Sequence, residues 1–257
     1  MMTWERQIHL KTADDLQVMR EAGRINASVL ATVKELLQPG IPTADLNVAA
    51  EEVLKKHGCI SPFKGYGHPP FPASITVSIN RELVHGIPST NRKLQTGDIV
   101  SIDCGTILDG FVADSAFSAG VGDISPEAQT LLNVTEGALN AAIDKMRFGN
   151  RTGDVSAAIQ KYIETRGFFV TREYTGHGVG RQMHEGPQVP NYGKEGTGMP
   201  LKPGMTIAIE PMVLAGTAET KVLPDNWTVV SADGSLTAHF EHTIAVTEGE
   251  PLILTVL

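Results

Sequence analysis

Five side chains invite a chemical reading: Asp103, Asp114, His177, Glu210 and Glu241. In Ile99-Val-Ser-Ile-Asp103-Cys-Gly, strand alternation puts Ile99, Ser101 and Asp103 on one face and Val100, Ile102 and Cys104 on the other. Residues 107–110 read as a four-residue loop ending in Asp-Gly, after which the chain returns as Phe111-Val-Ala-Asp114-Ser-Ala-Phe. A loop centred there predicts Asp103 directly opposite Asp114, with Cβ atoms about 5 Å apart. Carboxylates so placed repel each other unless a cation lies between them, and a metal ion meets that need. The alternative, two aspartates in solvent, is opposed by their apolar neighbours on both strands.

Tyr174-Thr-Gly-His177-Gly-Val-Gly-Arg-Gln-Met-His184 sets an imidazole between glycines, where backbone can crowd a bound group. Such a histidine is either a turn residue or a metal ligand. Glu210 ends the apolar run of Met205-Thr-Ile-Ala-Ile-Glu210-Pro-Met, and Glu241 sits within Ala238-His-Phe-Glu241-His-Thr-Ile. A glutamate in such a run is costly to bury unpaired, although many strands carry one acid on a solvent face. Together, four carboxylates and an imidazole suit a pair of first-row divalent ions such as Mn, Fe, Co or Zn, and not a cysteine-bound structural zinc.

Several elements must position these groups. Thr12 with Asp15 is a partial capping box. It opens a helix with Leu16, Met19, Ala22, Ile25, Val29 and Val33 near a 3.6-residue period, ended by Pro39-Gly40. A second helix opens after Thr43 and runs to about His57-Gly58. The pattern returns 109 residues later: Pro126 opens a helix broken by Gly149, and Thr152 with Asp154 begins another that stops at Gly167. Gly40/Gly149, Thr43/Thr152, Asp45/Asp154, Ala49/Ala158 and Gly58/Gly167 are identical pairs. Glycine stops and threonine caps recur in any helical hairpin, but shared helix lengths and apolar phase point to an internal duplication, with halves near 10–120 and 121–246. Strand-like segments follow each helical pair: 74–79, 99–104 and 111–117, then 173–175, 205–209, 228–231 and 238–246. This predicts one α+β domain over residues 1–257, with helices outside a sheet of two related halves. Residues 66–72 read as an ordered loop and 187–203 as a surface excursion.

The charge, 21 basic against 29 acidic residues for a net −8, argues against a nucleic-acid binder and gives no reason to expect a membrane surface. The 257 residues and 41% hydrophobic content allow a sizeable core. Two cysteines, Cys59 and Cys104, are too few for a disulfide framework. Residues 1–10 have no apolar leader run, and no stretch is long and apolar enough to span a bilayer, so a cytoplasmic protein is expected.

In order and spacing, these five residues resemble the ligand set of the methionine aminopeptidases. Met19-Arg-Glu-Ala-Gly, Ser78-Ile-Asn80 and Val84-His85-Gly-Ile-Pro88 agree, and the resemblance runs from about Leu10 to Val246. It implies the pita-bread (creatinase/aminopeptidase) fold, two pseudo-symmetric halves around a curved antiparallel sheet. It also implies removal of the initiator methionine from nascent polypeptides whose second residue is small. Only 32 residues lie between His177 and Glu210, leaving no space for the helical insertion of type 2 enzymes, so the short type 1 form is expected. The implied roles are two divalent ions held by Asp103, Asp114, His177, Glu210 and Glu241, with Asp114 and Glu241 bridging. A hydroxide between ions about 3.5–4 Å apart would attack the first carbonyl. Glu210 would be the general base, His184 the oxyanion donor, and His85 a contact to the substrate amide nitrogen. His85 also reads as a structural histidine before Gly86-Ile-Pro. Phe71, Thr76, Met183 and Trp227 would line the methionine pocket, with Thr76 for a frequent cysteine, Met183 for a frequent aromatic and Phe71 for a frequent tyrosine. A thioether-accepting apolar floor survives these changes.

Two other readings stand beside it. One is a proline-directed peptidase on the same fold, whose relatives usually carry an added N-terminal domain. The other is a binding protein that has lost its ligands, all five of which are present here. A monomer is expected; ribosome contact is left open, since no basic extension points to it.

Overall fold

The computed structural model describes residues 8–257. Residues 1–7, which carry most of the segment in which no leader was expected, lie outside the described residues. Helices α1 (Ala13–Glu35) and α2 (Thr43–Lys56) precede strands β1 (Ile75–Ile79), β2 (Glu82–Val84), β3 (Ile99–Leu108) and β4 (Phe111–Gly120). Helices α3 (Pro126–Ile143) and α4 (Thr152–Glu164) precede β5 (Phe169–Val170), β6 (Thr175–Gly178), β7 (Glu185–Pro190), β8 (Thr206–Ile209) and β9 (Met212–Leu214). The chain closes with β10 (Thr220–Val222), β11 (Val229–Ser231), β12 (Thr237–His239), β13 (Glu241–Ala245) and β14 (Leu252–Ile253).

The main sheet is antiparallel throughout, in the order β1-β3-β4-β13-β8-β6-β7, with β14 added on β13. Its centre is the seam where β4 of the first half meets β13 of the second, through Glu241↔Ala116 and His242↔Ser115. Beyond that pair the ladder is carried by a side chain. Thr243 Oγ1 accepts from the Asp114 N–H at 2.9 Å and donates to the Asp114 carbonyl at 2.8 Å. The curled sheet with helices outside it is the pita-bread architecture expected from the sequence.

Helix α1 is started by a complete capping box: Thr12 Oγ1 accepts from Asp15 N, and Asp15 Oδ2 accepts from Thr12 N. Its buried stripe, Met19, Ala22, Ile25, Val29 and Val33, faces β3 and β4. Buried Asn26 fixes the angle, donating to the Cys104 carbonyl at 2.7 Å and accepting from Thr106 Oγ1. Gly23 lets the C-terminal tail cross: a Cβ there would lie 2.1 Å from the Leu254 carbonyl oxygen. Under α1 and α2, Val100, Ile102 and Cys104 form one core with Ile25, Leu46 and Leu54; α3 and α4 cover a second core containing Ile207, Ile209 and Ile244. The second helix of each pair is entered alike. Thr43 N donates to the Arg92 carbonyl and Thr152 N to the Met199 carbonyl, while Gly40 and Gly149 sit at φ 91° and 94°.

Several local expectations are corrected. The β3–β4 connection is a two-residue turn, Asp109-Gly110, at φ 49° and 76°, not a four-residue loop. Both residues in the left-handed region match the twist of the flanking strands. The register therefore moves by two: Asp103 faces Ala116 and Asp114 faces Gly105. The acids are diagonal neighbours, not directly opposite. The segment 238–246 is two strands, because the chain breaks at Phe240 and β12 leaves to pair with β9. Glu173 and Tyr174 precede β6. The start of the supposed excursion 187–203 belongs to β7, an edge strand, where proline's missing N–H is tolerated. The second helix includes Thr43, with Pro42 as its cap. No helix among the described residues is long and apolar enough to cross a membrane.

Candidate metal centre

Pairing converts the linear pattern into a cluster. Across the sheet run Thr76↔Asp103, Asp103↔Ala116 and Ala116↔Glu241. The His242↔Ile209 register, continued one residue, sets Glu241 opposite Glu210, where Pro211 ends β8. One step along the same face lie Asp114 opposite Gly105, Thr243↔Ala208 and His177↔Ala208. Opposed residues share a face, so four acids and an imidazole project together. The positions between them are Ala116, Ala208 and Gly105, which leave the space over the sheet open.

Asp103, Asp114, His177 and Glu241 are buried, Asp114 and Glu241 at 2% exposure each, while Glu210 keeps an edge open to the cavity. Ligand atoms of Asp114, His177 and Glu241 lie within 4.8 Å of one another. His177 Nε2 stands 3.6 Å from Glu210 Oε1 and 3.9 Å from Asp114 Oδ2, too far for hydrogen bonds. Asp103 Oδ1, Asp114 Oδ1 and Glu241 Oε1 are buried with no hydrogen-bond partner. Burial pushes the Asp103 carboxyl up to about 7. Asp114 is raised well above the carboxylate range by burial and then by the charges of Glu241 and Asp103. Glu210 is raised by burial, Asp114 and Asp103, and Glu241 by burial, Asp103 and Glu210. Buried acids this close cannot all ionise by themselves; cations among them remove both the repulsion and the unpaired oxygens. The donor set of carboxylates and imidazole fits divalent first-row metals.

Tautomers follow from hydrogen bonds. The His177 Nδ1 lies 2.9 Å from the Gly178 carbonyl, which only an N–H can satisfy, so Nε2 presents its lone pair to the acids. Burial lowers His177 to about 4, and lowers His184 to about 3 with help from His177 and His85. His85, at about 4 through burial, adopts φ 61°, a left-handed conformation that a non-glycine residue keeps only when its surroundings impose it.

The remaining anticipated residues line the same cavity: His85, His184, Phe71, Thr76, Met183 and Trp227. Phe71 packs edge-on against Trp227 at 5.2 Å between centroids, and Trp227 Nε1 donates to the Pro69 carbonyl at 2.9 Å. Gly67, at φ 73°, lies under the indole, where a Cβ would be 2.5 Å from Cη2. Phe63, Ala73, Ile87 and Met183 complete an apolar floor.

The structure adds residues the sequence reading did not single out. His239 is buried with Nε2 3.8 Å from Glu210 Oε2 and 3.7 Å from Glu241 Oε2. Its signal was available, since it stands two residues before Glu241 in an alternating segment. Phe63, Tyr66 and Tyr174 also line the cavity. They come from loops, where periodicity carries no information.

Comparison with known proteins agrees with this geometry. Residues 17–248 match the model of Metallopeptidase family M24. The methionine aminopeptidase 1 of Bacillus subtilis is 51% identical, over 95% of this chain and 98% of that protein. A methionine aminopeptidase of Clostridium acetobutylicum is 48% identical, over 96% and 98%. The crystal structure of methionine aminopeptidase from Thermotoga maritima superposes with a TM-score of 0.95 at 43% identity, covering 98% of this chain and all of that one. A prolidase from Pyrococcus furiosus shares the fold, with a TM-score of 0.77 at 19% identity, and this chain covers 65% of it.

Proposed function

Because the chain belongs to metallopeptidase family M24 and groups there with the methionine aminopeptidases, we propose that it hydrolyses the first peptide bond of polypeptides beginning with methionine. The observation that carries this is the convergence, in one cavity, of the unpaired buried acids with an apolar floor. In this reading Asp103, Asp114, His177, Glu210 and Glu241 would hold two divalent ions, with Asp114 and Glu241 serving both. That assignment is supported by the strand rows, which set these two acids nearest the seam. Manganese, iron, cobalt and zinc all suit the donors. The chemistry such ions would supply, when bound, is an acidified water and a polarised scissile carbonyl.

The chain's own groups do the rest. Glu210, with its side chain 13% exposed, faces the cavity and takes up and returns a proton. His184 donates to the oxygen that gains charge, and His85 contacts the amide nitrogen of the substrate. Phe71, Met183 and Trp227 enclose the methionine side chain, with Thr76 beside Asp103 at the cavity wall. A small second residue is accepted. The substrates are nascent chains in the cytoplasm, met by a monomer of one domain over residues 1–257. A duplication relating residues 10–120 to 121–246 is supported by the matching helix entries at Thr43 and Thr152.

Hydrolysis of Met-Ala-Ser against Ala-Pro-Pro, before and after metal removal, tests the reading. Metal-dependent release of methionine is expected; preferential cleavage of Ala-Pro-Pro assigns a proline-directed peptidase, and a flat response to metal assigns a binding protein. His184→Ala is expected to keep its metal while turnover falls about a hundredfold, as for loss of one oxyanion donor. Unchanged turnover removes His184 from the chemistry.

A further inference from the structure

His184 can donate to an oxygen at the centre only if the proton sits on the ring nitrogen that faces it. A neutral imidazole has one N–H, and which nitrogen carries it is set by the partner of the other. The Tyr66 hydroxyl lies 2.8 Å from His184 Nδ1. We propose that Tyr66 is a positioning residue for this reaction: its hydroxyl donates to Nδ1 and so holds His184 as the Nε2–H tautomer, with that N–H turned to the carboxylate cluster. The inference deepens the aminopeptidase reading and rests on His184 being the donor in it.

Both partners are held before substrate arrives. Tyr66 is fixed within its loop, with its N–H donating to the Phe63 carbonyl at 2.9 Å and its carbonyl accepting from Phe71 N at 2.8 Å. On the other side, the turn carrying His184 is pinned by the Glu185 carboxylate. One oxygen accepts from Gln182 N at 3.1 Å, and the other pairs with Lys11 Nζ at 2.5 Å in a buried ion pair. The imidazole packs edge-on against His177, with ring centroids 4.4 Å apart, and both rings line the cavity that holds the carboxylates. The direction of the hydrogen bond follows from the role of the ring. Were Nδ1 the donor, Nε2 would carry only a lone pair and could not donate to an oxygen gaining negative charge. With the phenol as donor, the Nε2–H is left to make that bond. The contact joins a loop of the first half to a turn of the second, so the donor is set by the closed fold and not by either segment.

The tautomer is read directly from long-range proton–nitrogen correlation of zinc-loaded protein labelled with 15N-histidine. The Nε2–H pattern is expected for His184, giving way to a tautomer mixture in Tyr66→Phe. The Nδ1–H pattern in the unsubstituted protein overturns the proposal, and this arm needs no variant to fold. On a Met-peptide, Tyr66→Phe is expected to lower kcat about ten- to a hundredfold, the usual loss when a partner that orients an imidazole is removed, with KM within twofold. A change confined to KM would make Tyr66 only a wall of the pocket and overturns the claim. In a His184→Ala background the further substitution is expected to do nothing, because the two residues act as a unit; additive losses overturn it. Full activity of His184→Ala alone strikes the parent reading of His184, whereas the wrong tautomer in an active enzyme strikes Tyr66 alone.

Discussion

Asp103→Ala and His177→Ala are expected to bind less than the full complement of metal and to lose peptidase activity by about a hundred- to a thousandfold. Removing one partner from a buried charged cluster costs about 3–5 kcal/mol, and each 1.36 kcal/mol lost from the transition state is tenfold in rate. Without metal, the two substitutions act differently. Asp103 is one of four buried acids that repel one another, so its loss relieves the metal-free protein. Metal-stripped Asp103→Ala is expected to melt above the metal-stripped parent at pH 8. His177→Ala removes no acid and is expected to give no such gain. Metal analysis, peptide hydrolysis and calorimetry on the same samples check these outcomes. Full occupancy with full activity in both variants would end the ligand assignment.

Metal removal is expected to make stability fall as pH rises through neutrality. A carboxyl whose folded pKa exceeds its unfolded value stabilises the fold while protonated. For Asp103 that contribution is complete below 3.8 and is lost as pH climbs through about 7. Asp114, Glu210 and Glu241 are shifted in the same direction. The histidines run the other way. His85 and His177 near 4, and His184 and His239 near 3, stay neutral in the fold, so their effect is lost stability below pH 6.5. Between pH 6.5 and 8 the carboxyls alone act. For Asp103, a rise from 3.8 to about 7 corresponds to ~4 kcal/mol at full ionisation, or about 10 °C in Tm for a protein of this size. A bound divalent ion replaces the proton, and at a hundred times its Kd contributes about 2.7 kcal/mol more. Calorimetry should give a metal-free Tm that declines from pH 6 to 8 and a manganese-loaded Tm that hardly moves. Parallel profiles would mean that the acids are not metal-compensated.

Much of the fold was legible because its signals are local. Thr12 and Asp15 read as a cap from sequence alone, and they form one. Gly40 and Gly149 read as helix stops and occupy φ values that favour glycine. The Asp103–Asp114 pairing was read wrongly because register depends on turn type, and Asp109-Gly110 closes in two residues. The error was even, and a shift of two keeps every side chain on its face. Both acids therefore still face the cavity. Tyr66 was not legible as a partner of His184, because nothing local relates positions 118 residues apart.

By itself, the sequence determined which residues face which way: alternation is a property of the strand, and capping a property of a few neighbouring amides. Only the tertiary structure decided what those faces meet. Joining β4 to β13 brings Asp114 beside Thr243, 129 residues along the chain, and so makes two half-sites one cluster. Distance along the chain carries no record of that closure. It is set by burial of the cores beneath the helices, which fold the two halves together and leave their acids facing one another in a single cavity.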